Sequence, residues 1–264
     1  MPFPEVKRVI YKKNPLDRVI CQLRFPPILK IDKEIPADFQ EKIRMDFPNF
    51  DETIEWPDVP SEIQGQFPPE ILRQISQTAP IKNYKFASDD NIWIVNLTRT
   101  FIALTSTKYE RWEEFKGKLQ NIFNAFIETH NPNYFSRIGL RYVDVVKRSD
   151  LNLDGKKWND LLKPFAIGLL GSPDVGKYVQ NYEAGHEIKL SKEAGIVKMR
   201  LKLVKHIDSG EECFMIDSDF YNASKTRIES ATEILDQFNK RASRLIQWVI
   251  TKELHNTLEP QELC

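Results

Sequence analysis

From Arg18 to Phe25 the chain alternates, with Val19, Cys21, Leu23 and Phe25 apolar against Arg18, Gln22 and Arg24. Successive side chains of a strand point to opposite faces, so this pattern predicts a half-buried strand. Pro26-Pro27 stops it, because proline cannot donate to a ladder. The segment is echoed further on by Ser136-Arg137-Ile138-Gly139-Leu140-Arg141-Tyr142, again with arginines at one parity.

After the first copy, Phe39, Ile43 and Phe47 recur at four-residue steps and predict a short helix over 35–47, with Pro36 in its first turn. Residues 48–83 hold seven Pro and Gly and read as an irregular excursion, with a short strand near 63–67 and a helical turn near 70–76. Runs at 84–87, 92–97 and 100–105 read as strands. Thr107-Lys108-Tyr109-Glu110 has the spacing of a capping box. Behind it, Trp112, Phe115, Leu119, Ile122, Phe123, Phe126 and Ile127 form one apolar helical stripe that ends at Asn131-Pro132-Asn133.

The second copy is followed by similar elements: a strand over 134–145, a helix over 158–170, strands over 177–190, 196–204 and 213–221, and a helix over 224–254. At roughly 30 residues the last helix would be about 45 Å long. Each half thus reads strand, helix, three strands, long helix, with equivalent elements about 115 to 125 residues apart. The expected fold is α+β: antiparallel sheet with helices packed on one face, in two pseudo-repeated halves, 1–133 and 134–264, within one continuous globular domain. TATA-binding-protein-like and helix-grip-like folds share this plan, an analogy that says nothing of function.

Composition narrows the class. Of 264 residues 41% are hydrophobic and 29% charged, as in ordinary globular proteins, and 38 basic residues balance 38 acidic ones. A zero balance removes the global field that drives non-specific nucleic-acid binding, and it favours self-association. Cys21, Cys213 and Cys264 have no framework spacing. With no apolar stretch near the ~20 residues of a membrane span and no leader-like start at Met1–Glu5, a reduced, cytoplasmic protein is expected.

Motifs that resemble chemistry are incomplete. Gly171 to Lys177 matches the G-x4-G-K core of a phosphate loop, but Tyr178 replaces the Mg²⁺-binding hydroxyl and a helix precedes where a strand should. Asp174, Glu187 and Lys189 imitate a metal-dependent nuclease set, although the Asp lies in a turn before the same strand. Asp217 and Asp219 share a strand face without a third ligand, and His130, His186, His206 and His255 lack metal spacing. Neither catalytic residues, nor a metal, nor a cofactor is therefore assigned.

The candidate binding residues are Arg24, Arg137 and Arg141, joined by Lys198, Arg200 and Lys202, which alternate with Val197, Met199, Leu201 and Leu203. On one sheet face they offer a cationic surface for phosphates or an acidic protein. Alternatively, Glu183, Glu187, Asp217 and Asp219 neutralise them in cross-strand ladders. Asp144 takes the parity of Ile138 and Leu140, so it reads as a buried, paired carboxylate.

Asn14-Pro15-Leu16 leading into Val19 to Pro26, Arg137 to Val143, Ile216 to Tyr221 and the closing 238–254 helix together resemble a sporadically distributed family of uncharacterised bacterial and archaeal proteins. Other members often carry Asn where this chain has Asp144. The patchy occurrence of that family implies mobile genes of the defence or toxin–antitoxin kind. The expectation that follows is a non-enzymatic interaction protein: a partner, sensor or neutralising subunit that binds a protein encoded nearby. The alternatives are a nucleic-acid-binding module using the basic sheet face, and a metal-dependent nuclease.

Overall fold

The two arginine-bearing strands lie side by side. In the computed structural model, which describes residues 2–56, 68–75, 80–191 and 195–262, β2 (Leu16–Arg24) pairs antiparallel with β7 (Arg137–Val146), Cys21 opposite Leu140 and Arg24 opposite Arg137. They form the middle of a nine-stranded antiparallel sheet. Its other members are β3 (Asn49–Glu55), β4 (Ile81–Ala87), β5 (Trp93–Leu97), β6 (Phe101–Ser106), β8 (Glu183–Ser191), β9 (Gly195–Lys205) and β10 (Glu212–Asn222). The order across the sheet is β3-β4-β5-β6-β2-β7-β10-β9-β8. A separate ribbon joins β1 (Val9–Tyr11) to β11 (Pro260–Glu262). Among the described residues the helices are α1 (Lys30–Lys33), α2 (Ala37–Ile43), α3 (Pro69–Ile75), α4 (Trp112–His130), α5 (Trp158–Leu161), α6 (Pro164–Ile167), α7 (Ala231–Val249) and α8 (Lys252–Thr257).

Register decides which side chains meet. Val19, Cys21 and Leu23 lie opposite Tyr142, Leu140 and Ile138, which in turn face Ser218, Phe220 and Asn222. The apolar members of this face are buried beneath the two long helices. Phe126 of α4 touches Phe25, and Phe238 of α7 touches Phe220. Among the described residues no helix is long and apolar enough to cross a membrane.

Several boundaries differ from the expectation for physical reasons. Arg111, not Thr107, precedes the first turn of α4; the Thr107 hydroxyl donates to the Ile92 carbonyl, and no capping box forms. The helix expected over 158–170 breaks into α5, α6 and a 3-10 turn, since Leu162 is extended and Pro164 starts a new helix. The final helix breaks at Ile250, which bridges Leu162, while the Thr251 amide donates to the Leu161 carbonyl. At 19 residues α7 spans about 28 Å rather than 45 Å. The excursion over 48–83 contains a full strand, β3, whose exposed edge position removes the one-sided apolar pattern that marks buried strands. The strand expected near 63–67 lies outside the described residues. The strand expected from Lys177 begins only at Glu183, because residues 176–178 form a 3-10 turn.

Candidate ligand-binding site

On the sheet face opposite the long helices, the predicted cations are nearly all in ladders. Asp217 of β10, whose side chain is only 1% exposed, lies between Arg141 of β7 and Arg200 of β9. Arg141 donates from Nε and Nη2 at 2.6 and 2.8 Å, a bidentate fork, and Arg200 approaches Oδ2 at 2.8 Å. Arg137 pairs with Asp219 at 2.7 Å, and its guanidinium lies 4.8 Å from the centre of the Tyr221 ring. The guanidinium runs across Gly139, where any β-carbon would collide with Nη1. Lys202 meets Glu183 at 3.0 Å and Lys198 meets Glu187 at 4.0 Å. Arg24 donates to Gln22 at 2.9 Å, and burial together with the neighbouring Arg137 guanidinium lowers its pKa.

The nuclease-like residues are not assembled into such a site. Glu187 faces Lys198 on the edge pair β8–β9, and Asp174 is exposed in a surface turn. Among the described residues no three His, Cys, Asp or Glu are grouped to hold a metal ion. The Gly171–Lys177 segment connects the 3-10 turn Gly168–Gly171 to the 3-10 turn Gly176–Tyr178.

The helix-covered face holds a site with a different logic. A cavity of about 90 Å³ opens among β1, β7, β10, the N-terminal end of α4 and the middle of α7. Its walls include Tyr11, Tyr109, Trp112, Tyr142, Asp144, Ser218 and Asn239. Asp144 lies opposite Leu16 on one side and Ile216 on the other, so register carries its carboxylate inward with the apolar set. It is 6% exposed, and no described residue donates to it or forms an ion pair with it. Burial alone pushes its carboxyl group up to about 7. The Ser218 hydroxyl is likewise buried without a hydrogen-bond partner.

The tyrosine donors of the lining and Arg8 are already engaged. The Tyr109 and Tyr142 hydroxyls both donate to Oδ1 of Asn239, at 3.5 and 3.0 Å. The Tyr11 hydroxyl is bonded to Nδ1 of His255 at 2.8 Å. Burial raises the pKa of all three tyrosines well above the usual phenol value, so they line the cavity as neutral rings. Arg8, at the rim, is held by Glu113 through two hydrogen bonds of 2.7 and 3.1 Å.

Strand parity was enough to read Asp144 as buried. The expected partner is missing, because the cavity walls send their donors elsewhere. Tyr11, Tyr109, Ser218 and Asn239 carried no local signal, since the cavity gathers them from distant segments. The chain matches no protein-family model and no curated protein.

Proposed function

We propose that this protein is a binding protein of the sensor kind: the cavity beside Asp144 takes a small molecule, and the outer surface relays its presence to a protein partner. The observation that carries this reading is two polar groups at one cavity: the Asp144 carboxylate, to which no described residue donates, and the buried Ser218 hydroxyl, which has no hydrogen-bond partner. Buried polar groups are nearly always hydrogen-bonded, and an uncompensated buried charge costs several kcal/mol. A ligand supplying the missing partners explains both groups at once. Of the roles admitted by the sequence, a partner, sensor or neutralising subunit of a defence or toxin–antitoxin-like module, the cavity favours the sensor. A nucleic-acid face has less support, because Arg137, Arg141, Lys198, Arg200 and Lys202 already face carboxylates.

The same proposal includes two pseudo-repeated halves on a TATA-binding-protein-like or helix-grip-like plan. Its support is the strand order outward from the centre. One half runs β2, β6, β5, β4 and the other β7, β10, β9, β8, and a long helix follows β6 and β10 alike. β3 is an addition at one edge.

The test is a thermal-shift screen of small polar molecules against the full chain and Ala242→Leu, a substitution that fills the cavity from α7. Hits that stabilise the wild type and not the filled variant support the reading. Hits that stabilise both equally defeat it.

A further inference from the structure

We infer that the ligand carries a protonated amine or quaternary ammonium head group, neutralised by Asp144 and enclosed by the rings of Tyr11, Tyr109 and Tyr142. This assignment rests on the pocket reading above and adds the charge and size of the occupant.

Among the described residues no cation pairs with Asp144, although Arg8 and Arg111 stand in the lining. Tyr109 and Tyr142 spend their hydroxyl protons on Asn239, and Tyr11 is engaged with His255. Arg8 is held by Glu113 in a bidentate pair. Arg111 and Glu110 complete the charged rim. With Glu113 the rim thus carries two charges of each sign, and no net positive field bars a cation from entering. A neutral ligand with hydroxyl donors would hydrogen-bond the carboxylate while leaving its charge uncompensated in a low-dielectric site; a cation removes that cost as well.

The wall chemistry points the same way. The rings of Tyr109 and Tyr142 stand edge to face, 5.9 Å apart at 89°, with Tyr11 and Trp112 also in the lining. Aromatic faces attract cations, most strongly where water is displaced. A cavity of about 90 Å³ admits a head group of a few heavy atoms. A larger molecule would leave its remainder at the rim.

Charge and proton are coupled in this site. Binding a cation favours the ionised carboxylate, so below the folded-state value of about 7 it must expel the proton from Asp144. The other groups facing the cavity are Tyr11 from β1, Tyr109 and Glu110 before α4, Tyr142 from β7, and Arg8 and Arg111 at the rim. Ser218 from β10 and Asn239 and Ser243 from α7 are uncharged. Affinity should therefore fall about tenfold per pH unit below 7 and level off above it.

Isothermal titration of the full chain with ethanolamine, choline, the neutral choline isostere 3,3-dimethylbutan-1-ol and propionate tests this. The expected result is that an ammonium probe binds at pH 8 at least about tenfold tighter than the isostere. That preference should vanish in Asp144→Asn and weaken toward pH 5. Equal binding of choline and its isostere overturns the cation assignment while leaving the pocket intact. Absence of binding by every ammonium probe also overturns it. The pocket reading itself falls only if the screening hits ignore the Ala242→Leu filling.

Discussion

Replacing Asp144 by asparagine should remove a pH dependence of stability that the wild type carries. The side chain is almost isosteric, so packing among Leu16, Tyr142 and Ile216 changes little. The ionisation changes entirely. In the folded protein burial holds this carboxyl group at about 7, against 3.8 for the free group. A group whose folded pKa is raised contributes its stability in full below the unfolded value, and that contribution is lost as pH climbs through the folded one. The loss therefore accumulates between pH 4 and 7 and is complete above it. A difference of about three pKa units is worth about 4 kcal/mol in all, of which about 2.5 kcal/mol falls between pH 5 and 8. For a chain this size each kcal/mol moves the melting temperature by about 2 to 4 °C. Urea titrations of ligand-free wild type and Asp144→Asn at pH 5, 6, 7 and 8, followed by tryptophan fluorescence, would measure the difference directly. The variant should gain on the wild type with each step, and be the more stable protein at pH 8. Parallel curves across the range would refute the reasoning, because Asp144 would then have to be solvated or partnered in the folded state.

Asp217 is shared by two arginines, so Arg141→Ala and Arg200→Ala should each cost only about 1 to 2 kcal/mol, while together they leave a buried carboxylate unpaired and cost about 3 to 5 kcal/mol or more than their sum; additive denaturation midpoints would show that the carboxylate is not shared. Gly139→Ala should cost about 1 to 2 kcal/mol by displacing the Arg137 guanidinium from Asp219 and Tyr221. In an Arg137→Ala background the same glycine substitution should be nearly neutral, and a double-mutant cycle without coupling would rule that contact out.

Much of the secondary structure was legible because it depends on local period. Val19 to Arg24, Arg137 to Tyr142 and Val197 to Leu203 alternate as strands must, and each lies in a strand of the central sheet. The stripe from Trp112 to Phe126 likewise reappears as the buried face of α4. Breaks were less visible. The break at Ile250 has only a modest local signal, Thr251, which caps the next helix by accepting from the Leu254 amide; a bridge from Ile250 to Leu162, far away in sequence, accompanies it. β3 escaped detection because an exposed edge strand has no buried side to mark it.

For this chain the sequence alone determined which residues face together along each strand, since the two-residue period of the backbone sets that wherever the strand lies. It thereby placed Asp144 inside and Arg137 and Arg141 on the opposite face. Only the tertiary structure decided what those charges meet. The two arginines that hold Asp217 are 76 and 17 residues from it in sequence, brought to its sides by strand order and register. Asp144 is left without a donor by the same kind of long-range choice. Tyr109 and Tyr142 turn their protons toward Asn239 on α7, 130 and 97 residues away, and His255 occupies Tyr11. Parity is a property of neighbouring peptides, whereas charge compensation is a property of elements that meet only when the whole sheet and its helices have assembled.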